Sequence, residues 1–144
     1  MSLHRHTPLS GPALAAHLEN HGVIPTAQRL EIAEVLFRRP QHLSAEQIMT
    51  AVNKGEPAKV SKATVYNTLK LFAAKGLLKE VIVDRERVFY DSTTGSHHHI
   101  YNVDSGELQD IPAHAVEFAR LPELPDGLQS DGVEVIMRVR RRQG

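Results

Sequence analysis

The 144-residue chain contains no cysteine at all. This absence excludes disulfide bonds, thiolate zinc sites and cysteine nucleophiles, so any bound metal ion would need histidine, aspartate or glutamate ligands. The sequence also lacks an apolar run of roughly 18 residues, the length needed to span a bilayer. Its first residues lack the apolar segment of a signal peptide. We therefore expect a soluble cytoplasmic protein with no membrane partner.

The chain also lacks a net charge, since 17 lysine and arginine residues balance 17 acids, but the charges are unevenly distributed. Residues 57–79 hold five lysines and no acid, whereas residues 91–134 hold nine acids and one arginine. Ordinary solvated surfaces can produce such a pattern. The alternative is a basic segment that binds a polyanion, followed by an acidic, histidine-bearing segment that binds a cation.

Local signals predict helices in the first half of the chain. Thr26, Ser44 and Ser61 are each placed as helix N-caps, and the second of them begins a capping box. Two β-rich segments, 77–83 and 87–91, follow the last helix and are joined by a charged turn, which predicts a hairpin. Helices followed by a hairpin with a charged tip are the order of a winged helix-turn-helix domain.

The helix that begins after Ser61 is the candidate DNA-binding element. Its apolar positions fall on one face, which leaves a polar and basic face exposed. Such a helix can insert into the major groove, where its side chains reach base edges and its lysines neutralise phosphates. A plain surface helix with helix-forming lysines is the alternative. The predicted DNA-binding residues are Lys62, Thr64, Tyr66, Asn67 and Lys70 on the helix, and Arg85 and Arg87 on the wing.

The remainder of the chain predicts a smaller α/β unit. A hairpin turns at residues 104–106, a helix begins at Pro112, and a β-branched strand covers residues 133–139. Such a core is too small to be stable alone, so we expect strand pairing across a two-fold axis. The predicted fold is α+β, with a winged-helix DNA-binding domain at residues 1–92 and an α/β dimerisation and metal-sensing domain at 93–144. We therefore expect a homodimer that binds palindromic double-stranded operator DNA.

Three adjacent histidines, His97–His99, begin a predicted strand. The first and third leave one face of the strand, roughly 7 Å apart at the backbone, and the second leaves the other face. Asp91 ends the preceding strand, and Asp110 lies on the strand predicted to pair with the histidines. A lone histidine is more often a satisfied polar residue than a metal ligand. Spacing alone does not bring His42, in the first domain, to this cluster.

The sequence resembles the ferric uptake regulator family from about Val23 to Val139. The motifs that carry the resemblance are T-A-Q-R-L-E-I-A-E-V-L, H-L-S-A-E-Q-I, S-K-A-T-V-Y-N-T-L-K-L-F-A-A-K-G-L-L, R-V-F-Y-D and H-H-H-I-Y-N-V-D-S-G-E-L-Q-D-I. The resemblance implies a winged helix joined to an α/β dimerisation domain, with a regulatory metal at the hinge. The protein is then a DNA-binding repressor rather than an enzyme.

The resemblance also implies the ligands of the regulatory metal. Three imidazoles and two carboxylates suit Fe(II) or Mn(II), with Zn(II) as a competitor in vitro. Metal binding would favour the DNA-competent conformation, which makes the ion a corepressor. The implied metal ligands are His42, Asp91, His97, His99 and Asp110.

The sequence departs from the family at two further metal sites. Asn102 and Ser105 stand where the family often has its first pair of zinc-binding cysteines, so a structural four-cysteine zinc is not expected. An accessory site of the family would include Ser96, which is a poor ligand. The remaining candidates for an accessory metal or a haem are His98, Glu117 and Asp131.

Two subgroups of the family give different signals. The histidine run followed by L-x-D-I-P, without cysteine, is more similar to the iron response regulators, in which the run is implicated in haem and metal sensing. The alternative is similarity to the peroxide-sensing regulators, because Asp110 and Asp91 match their ligand set. In that subgroup bound iron reacts with peroxide and oxidises a ligand histidine, here His42 or His97.

A non-haem iron enzyme is the alternative outside this class, since a His-x-His motif with carboxylates also occurs in such centres. Five protein ligands would leave little open coordination for a substrate. The sequence offers no nucleophile motif or Gly-rich loop. We therefore predict a regulator of iron or haem homeostasis.

Overall fold

The computed structural model describes residues 11–55 and 59–143. The chain divides into two compact units, here called the N-terminal and C-terminal units, with the boundary between Thr94 and Gly95. Within the described residues, no helix is long and apolar enough to cross a membrane.

The N-terminal unit contains helices and a small antiparallel sheet. The sheet has the strand order β1-β3-β2, so the last two strands form a wing and the short first strand adds to its inner edge. The order of elements is that of a winged helix. The elements are α1 (Pro12–Asn20), α2 (Ala27–Phe37), β1 (His42–Ser44), α3 (Ala45–Val52), α4 (Lys62–Ala74), β2 (Lys79–Ile82) and β3 (Val88–Asp91).

The three predicted N-caps are confirmed. The Thr26 hydroxyl accepts a hydrogen bond from the Arg29 amide at 3.4 Å, and the Ser61 hydroxyl accepts from the Thr64 amide at 3.2 Å. The capping box at Ser44 is complete, because its hydroxyl accepts from an amide at 3.2 Å while its own amide donates to a glutamine side chain at 2.9 Å. These bonds satisfy amides that a helix start leaves unpaired, and so fix where each helix begins.

A single apolar core joins the helices of the N-terminal unit. Apolar side chains from every helix are buried in it, and α4 contributes Val65, Leu69 and Phe72. The opposite face of α4 stays exposed. The loop before α4 is held by Asn53, whose side-chain oxygen accepts from the amides of Lys59 and Val60 at 2.8 Å each. This loop anchor fixes the start of the candidate DNA-binding helix.

The C-terminal unit is built on a three-stranded sheet with the order β5-β4-β6. The central strand pairs antiparallel with β5 and parallel with β6. Both faces of β4 are covered at its start, since His97, His98 and His99 are all buried and the His98 ring packs against Phe118. The elements are β4 (His97–Asn102), β5 (Leu108–Pro112), a 3-10 helix (Ala113–Ala115) and β6 (Ile136–Val139).

The prediction of a helix beginning at Pro112 is wrong. A single 3-10 turn follows this proline, and residues 116–135 form no regular helix or strand. Pro122 and Pro125 disfavour the helical conformation in the residues before them, and a short helix without an apolar partner is marginal in water. The large apolar side chains of this segment are substantially exposed: Phe118, Leu121, Leu124, Leu128 and Val133.

The β4–β5 turn is closed by local hydrogen bonds. The Asn102 side-chain oxygen accepts from the amides of Asp104 and Ser105 at 2.9 and 3.1 Å, and Gly106 donates to the Asn102 carbonyl at 2.8 Å. Gly106 has a φ of 77°, which glycine adopts without steric cost. Asparagine commonly closes turns in this way, and here its side chain fixes the backbone of the two residues that follow Val103.

Candidate metal centre and nucleic-acid interface

In the N-terminal unit, strand pairing brings His42 opposite Asp91. The His42 Nε2 and Asp91 Oδ2 atoms lie 3.4 Å apart, and Asp91 is only 1% exposed. The other carboxylate oxygen accepts from the Thr93 amide at 2.8 Å, which orients Oδ2 toward the imidazole. Burying a carboxylate is costly unless it is paired, so this pair is a built feature that offers one nitrogen and one oxygen ligand.

In the C-terminal unit, two imidazoles converge on one carboxylate. The Nε2 atoms of His97 and His99 lie 3.2 and 3.3 Å from Oδ1 of Asp110. Each of the three residues offers one ligand atom, and these atoms lie within 4.8 Å of one another. The register explains the convergence, since His99 pairs directly with Asp110 while the other histidine is two residues away on the same strand face.

The far nitrogen of each converging imidazole is also bound. His97 Nδ1 lies 2.7 Å from the Gly95 carbonyl oxygen, and His99 Nδ1 lies 2.8 Å from Oε1 of Glu134. A carbonyl and a carboxylate can only accept, so both Nδ1 atoms carry hydrogen, and in the neutral rings the Nε2 lone pairs face Asp110 and can bind a cation. Histidine metal ligands usually show this arrangement. The donor set therefore fits a divalent metal ion.

His98 has the opposite arrangement. Its Nδ1 accepts from the Val135 amide at 2.9 Å, so its hydrogen lies on Nε2, and its ring packs edge-on against Phe118 at 5.9 Å. Glu117 and Asp131 are exposed. Among residues 11–55 and 59–143, no group of three or more ligand side chains contains any of these three candidates for an accessory site. The structure does not bring them together.

The exposed face of α4 carries the predicted DNA-binding residues. Lys62, Tyr66, Asn67 and Lys70 are exposed, and Thr64 is half-buried. The Lys62 ammonium lies 5.8 Å from the centre of the Tyr66 ring, so the cation and the phenol occupy one patch. The arginines at positions 85 and 87 are exposed on the tip of the wing, whose turn is closed by a hydrogen bond from the Val83 amide to the carbonyl of residue 87 at 3.1 Å.

A polar cleft lies beside this face and was not foreseen from the sequence. Its floor is shared between α4 and the first turn of α2. The signal that could have found it is the N-cap at Thr26, which places polar side chains and Arg29 together at the first turn of α2. The lining residues are Thr26, Gln28, Arg29, Thr64, Asn67, Thr68 and Leu71.

Helices followed by a two-stranded wing define a winged-helix protein, and the second unit adds a small sheet with clustered metal-ligand side chains. The model of the ferric uptake regulator family matches residues 20–126. Because this match covers well over half of the chain, the protein belongs to the ferric uptake regulator family.

Curated relatives carry peroxide-related names. The chain is 32% identical to the peroxide-responsive repressor PerR of Staphylococcus saprophyticus over 94 residues, or 65% of this chain and 63% of that protein. It is 34% identical to the peroxide operon regulator of Bacillus subtilis over 94 residues, or 65% of this chain and 64% of that protein. The match therefore spans less than two thirds of the length of either relative.

Solved structures confirm the α+β fold. The Pseudomonas aeruginosa ferric uptake regulator with manganese superposes with a TM-score of 0.69 at 23% identity, covering 90% of this chain and 98% of that one. The Campylobacter jejuni peroxide stress regulator gives a TM-score of 0.58 at 22% identity, covering 90% of this chain and 94% of that one. At these identities the likeness establishes the fold.

Proposed function

We propose that the protein is a metal-dependent, DNA-binding transcriptional repressor that acts as a homodimer in the cytoplasm. The observation that carries the proposal is the convergence of two imidazole Nε2 atoms on Asp110, each with its far nitrogen already bound. Residues 1–92 bind operator DNA, and residues 93–144 dimerise and sense the metal.

We propose that the regulatory site takes ligands from both units. His42 and Asp91 form one buried pair, and the C-terminal unit supplies the other ligands, His97, His99 and Asp110. Three nitrogens with two carboxylates favour Fe(II) or Mn(II), with Zn(II) binding in vitro. Ligands from both units link metal affinity to the arrangement of the units, and hence to DNA affinity.

The dimer partner is a second copy of the chain. The C-terminal unit exposes large apolar side chains in residues 118–137, including Leu128 at 63% and Met137 at 52%. Exposed apolar side chains in this number are unfavourable for a free monomer and mark an interaction surface. A three-stranded sheet with so small a core gains stability by burying them against a copy of itself.

The DNA-binding part is tested by Tyr66→Ala. The loss of a side chain that contacts a base or sugar should weaken binding to the cognate operator by about 10-fold or more, since one good base contact contributes about 1–3 kcal/mol. The measurement is fluorescence anisotropy with a duplex selected from random sequences by the Mn(II)-loaded protein. Arg38→Ala, at the exposed end of α2 opposite the end that lies beside α4, is the control and should leave affinity unchanged. Unchanged binding of the tyrosine variant would contradict the proposed interface.

The signal is proposed to be iron status. Haem has no role in this proposal. All three histidines of the run are at most 6% exposed, so none of them presents an accessible imidazole as an axial haem ligand. No enzymatic role is proposed, since five protein ligands leave little open coordination for a substrate.

Peroxide is the second candidate signal, favoured by the names of the curated relatives and by the two aspartates of the ligand set. The test loads the dimer anaerobically with Fe(II), or with Mn(II) as the control, and adds a small excess of peroxide. For an iron-status regulator, peptide mass spectrometry should find no added oxygen on any histidine in either sample. Oxygen on His42 or His97 in the iron sample alone would replace the iron-status proposal with peroxide sensing.

A further inference from the structure

We infer that Glu134 is a positioning residue for the metal ligand His99: its carboxylate holds the imidazole in the tautomer and orientation that present Nε2 to the metal. This inference rests on the proposed function, because it concerns the same site. Nothing in the spacing of the sequence draws attention to Glu134, which lies 35 residues from the histidine it contacts.

Parallel strand pairing brings the two residues together. His99 pairs with Ile136, and its backbone amide donates to the Val135 carbonyl at 3.0 Å. The backbone beside Glu134 is therefore fixed to the same residue that its side chain contacts. From there Oε1 reaches His99 Nδ1 at 2.8 Å, and the imidazole is fully buried at 0% exposure. A buried ring needs such an acceptor, because no water can replace it.

Two consecutive residues before β6 determine which ring nitrogen carries the hydrogen in two adjacent histidines. Glu134 offers an acceptor, so His99 keeps its hydrogen on Nδ1. The next backbone amide, of Val135, offers a donor, so His98 keeps its hydrogen on Nε2. The neutral His99 ring therefore has its lone pair on Nε2, where it can bind a metal ion, whereas Nε2 of His98 carries the hydrogen. The same short segment makes this distinction within a run of identical side chains.

The charge of Glu134 distinguishes the two converging ligands. His97 donates to a neutral backbone carbonyl, whereas His99 donates to a carboxylate. A carboxylate partner raises the basicity of the imidazole as well as orienting it, and loss of such a partner typically weakens metal affinity by about 10–100-fold. The Glu134 side chain is 23% exposed and the His99 ring is 0% exposed, so their contact is largely shielded from water.

The test compares Mn(II) affinity in Glu134→Gln, Glu134→Ala and Glu123→Gln, using the full-length protein and the EPR signal of free Mn(II). Glutamine keeps an acceptor and removes the charge, so we expect affinity about 10-fold weaker; alanine removes both, so we expect a loss approaching 100-fold. Glu123 is an exposed carboxylate in the same unit, and its variant should bind as the unmodified protein does.

A second readout does not depend on metal. Nitrogen-15 NMR of the metal-free protein in mildly alkaline buffer should show the His99 hydrogen on Nδ1 in the unmodified protein and in Glu134→Gln, and lost from that nitrogen in Glu134→Ala. Thermal unfolding of each variant checks that the unit remains folded. Unchanged Mn(II) affinity in both variants, or weakened affinity with an unchanged tautomer in Glu134→Ala, would overturn the inference. Absence of Mn(II) binding by the unmodified protein would overturn the proposed function instead.

Discussion

Replacing His42 with alanine will abolish the metal dependence of operator binding. The expected coupling in the unmodified protein is about 5–150-fold tighter DNA binding with metal than without it. In His42→Ala that ratio should fall to about one, because the variant removes the imidazole through which the N-terminal unit would hold the ion. The measurement is operator affinity by fluorescence anisotropy with and without Mn(II).

The control is His114→Ala, which removes an exposed imidazole that has no assigned role. It should retain the full metal response. Because the variant removes the imidazole beside the buried Asp91 carboxylate, its unfolding midpoint should fall, and circular dichroism should confirm that it is folded at the temperature of the binding assay. A folded His42→Ala protein that still binds operator more tightly with Mn(II) would remove this residue from the corepressor mechanism.

The His42→Ala variant separates metal binding from the effect of metal on DNA affinity. The C-terminal unit keeps its converging imidazoles when His42 is lost, so residual Mn(II) binding is expected without a response in DNA affinity. An ion that binds both conformations equally shifts neither, however tightly it is held. The ligands of the C-terminal unit therefore hold the ion, whereas those of the N-terminal unit couple metal binding to DNA affinity.

The local features of this fold could be predicted from the sequence because their signals are local. Ser44 and Ser61 cap helices through hydrogen bonds to amides three residues away, and the wing is specified by two β-rich segments around a charged turn. The helix predicted at Pro112 does not form, and the prediction is wrong because a local pattern does not show whether another element covers the apolar face of a helix. Within the described C-terminal unit Phe118 contacts the His98 ring, but the other large apolar side chains of this segment are mostly exposed.

The candidate metal site could be predicted only in part. The spacing of His97 and His99 places them on one strand face, and that local geometry is what the structure shows. The pairing of His42 with Asp91 depends on the register between two strands that are nearly 50 residues apart in the sequence. The family resemblance implies this pairing, but the spacing of the residues does not. Glu134 was missed because its contact depends on parallel pairing of β4 with β6, which no local pattern announces.

Replacing His99 with glutamine will weaken Mn(II) binding by more than about 100-fold, because loss of even an outer partner of a ligand costs 10–100-fold. Glutamine has a similar length, and its amide can still donate to Glu134, so the buried position stays filled. Isothermal titration with Mn(II) gives the affinity, and unfolding in urea checks that the variant remains folded. Mn(II) affinity within a few-fold of the unmodified protein would exclude this imidazole as a ligand.

The matched comparison is the neighbouring histidine. In His98→Asn the amide oxygen can still accept from the Val135 amide, and Mn(II) affinity should stay within about three-fold of the unmodified protein, since the His98 Nδ1 lone pair is already used. Equal losses in the two variants would mean that the run acts as one metal-binding cluster. A large loss at His99 alone would mean that alternation along a buried strand, rather than the number of histidines, determines which imidazoles the metal receives.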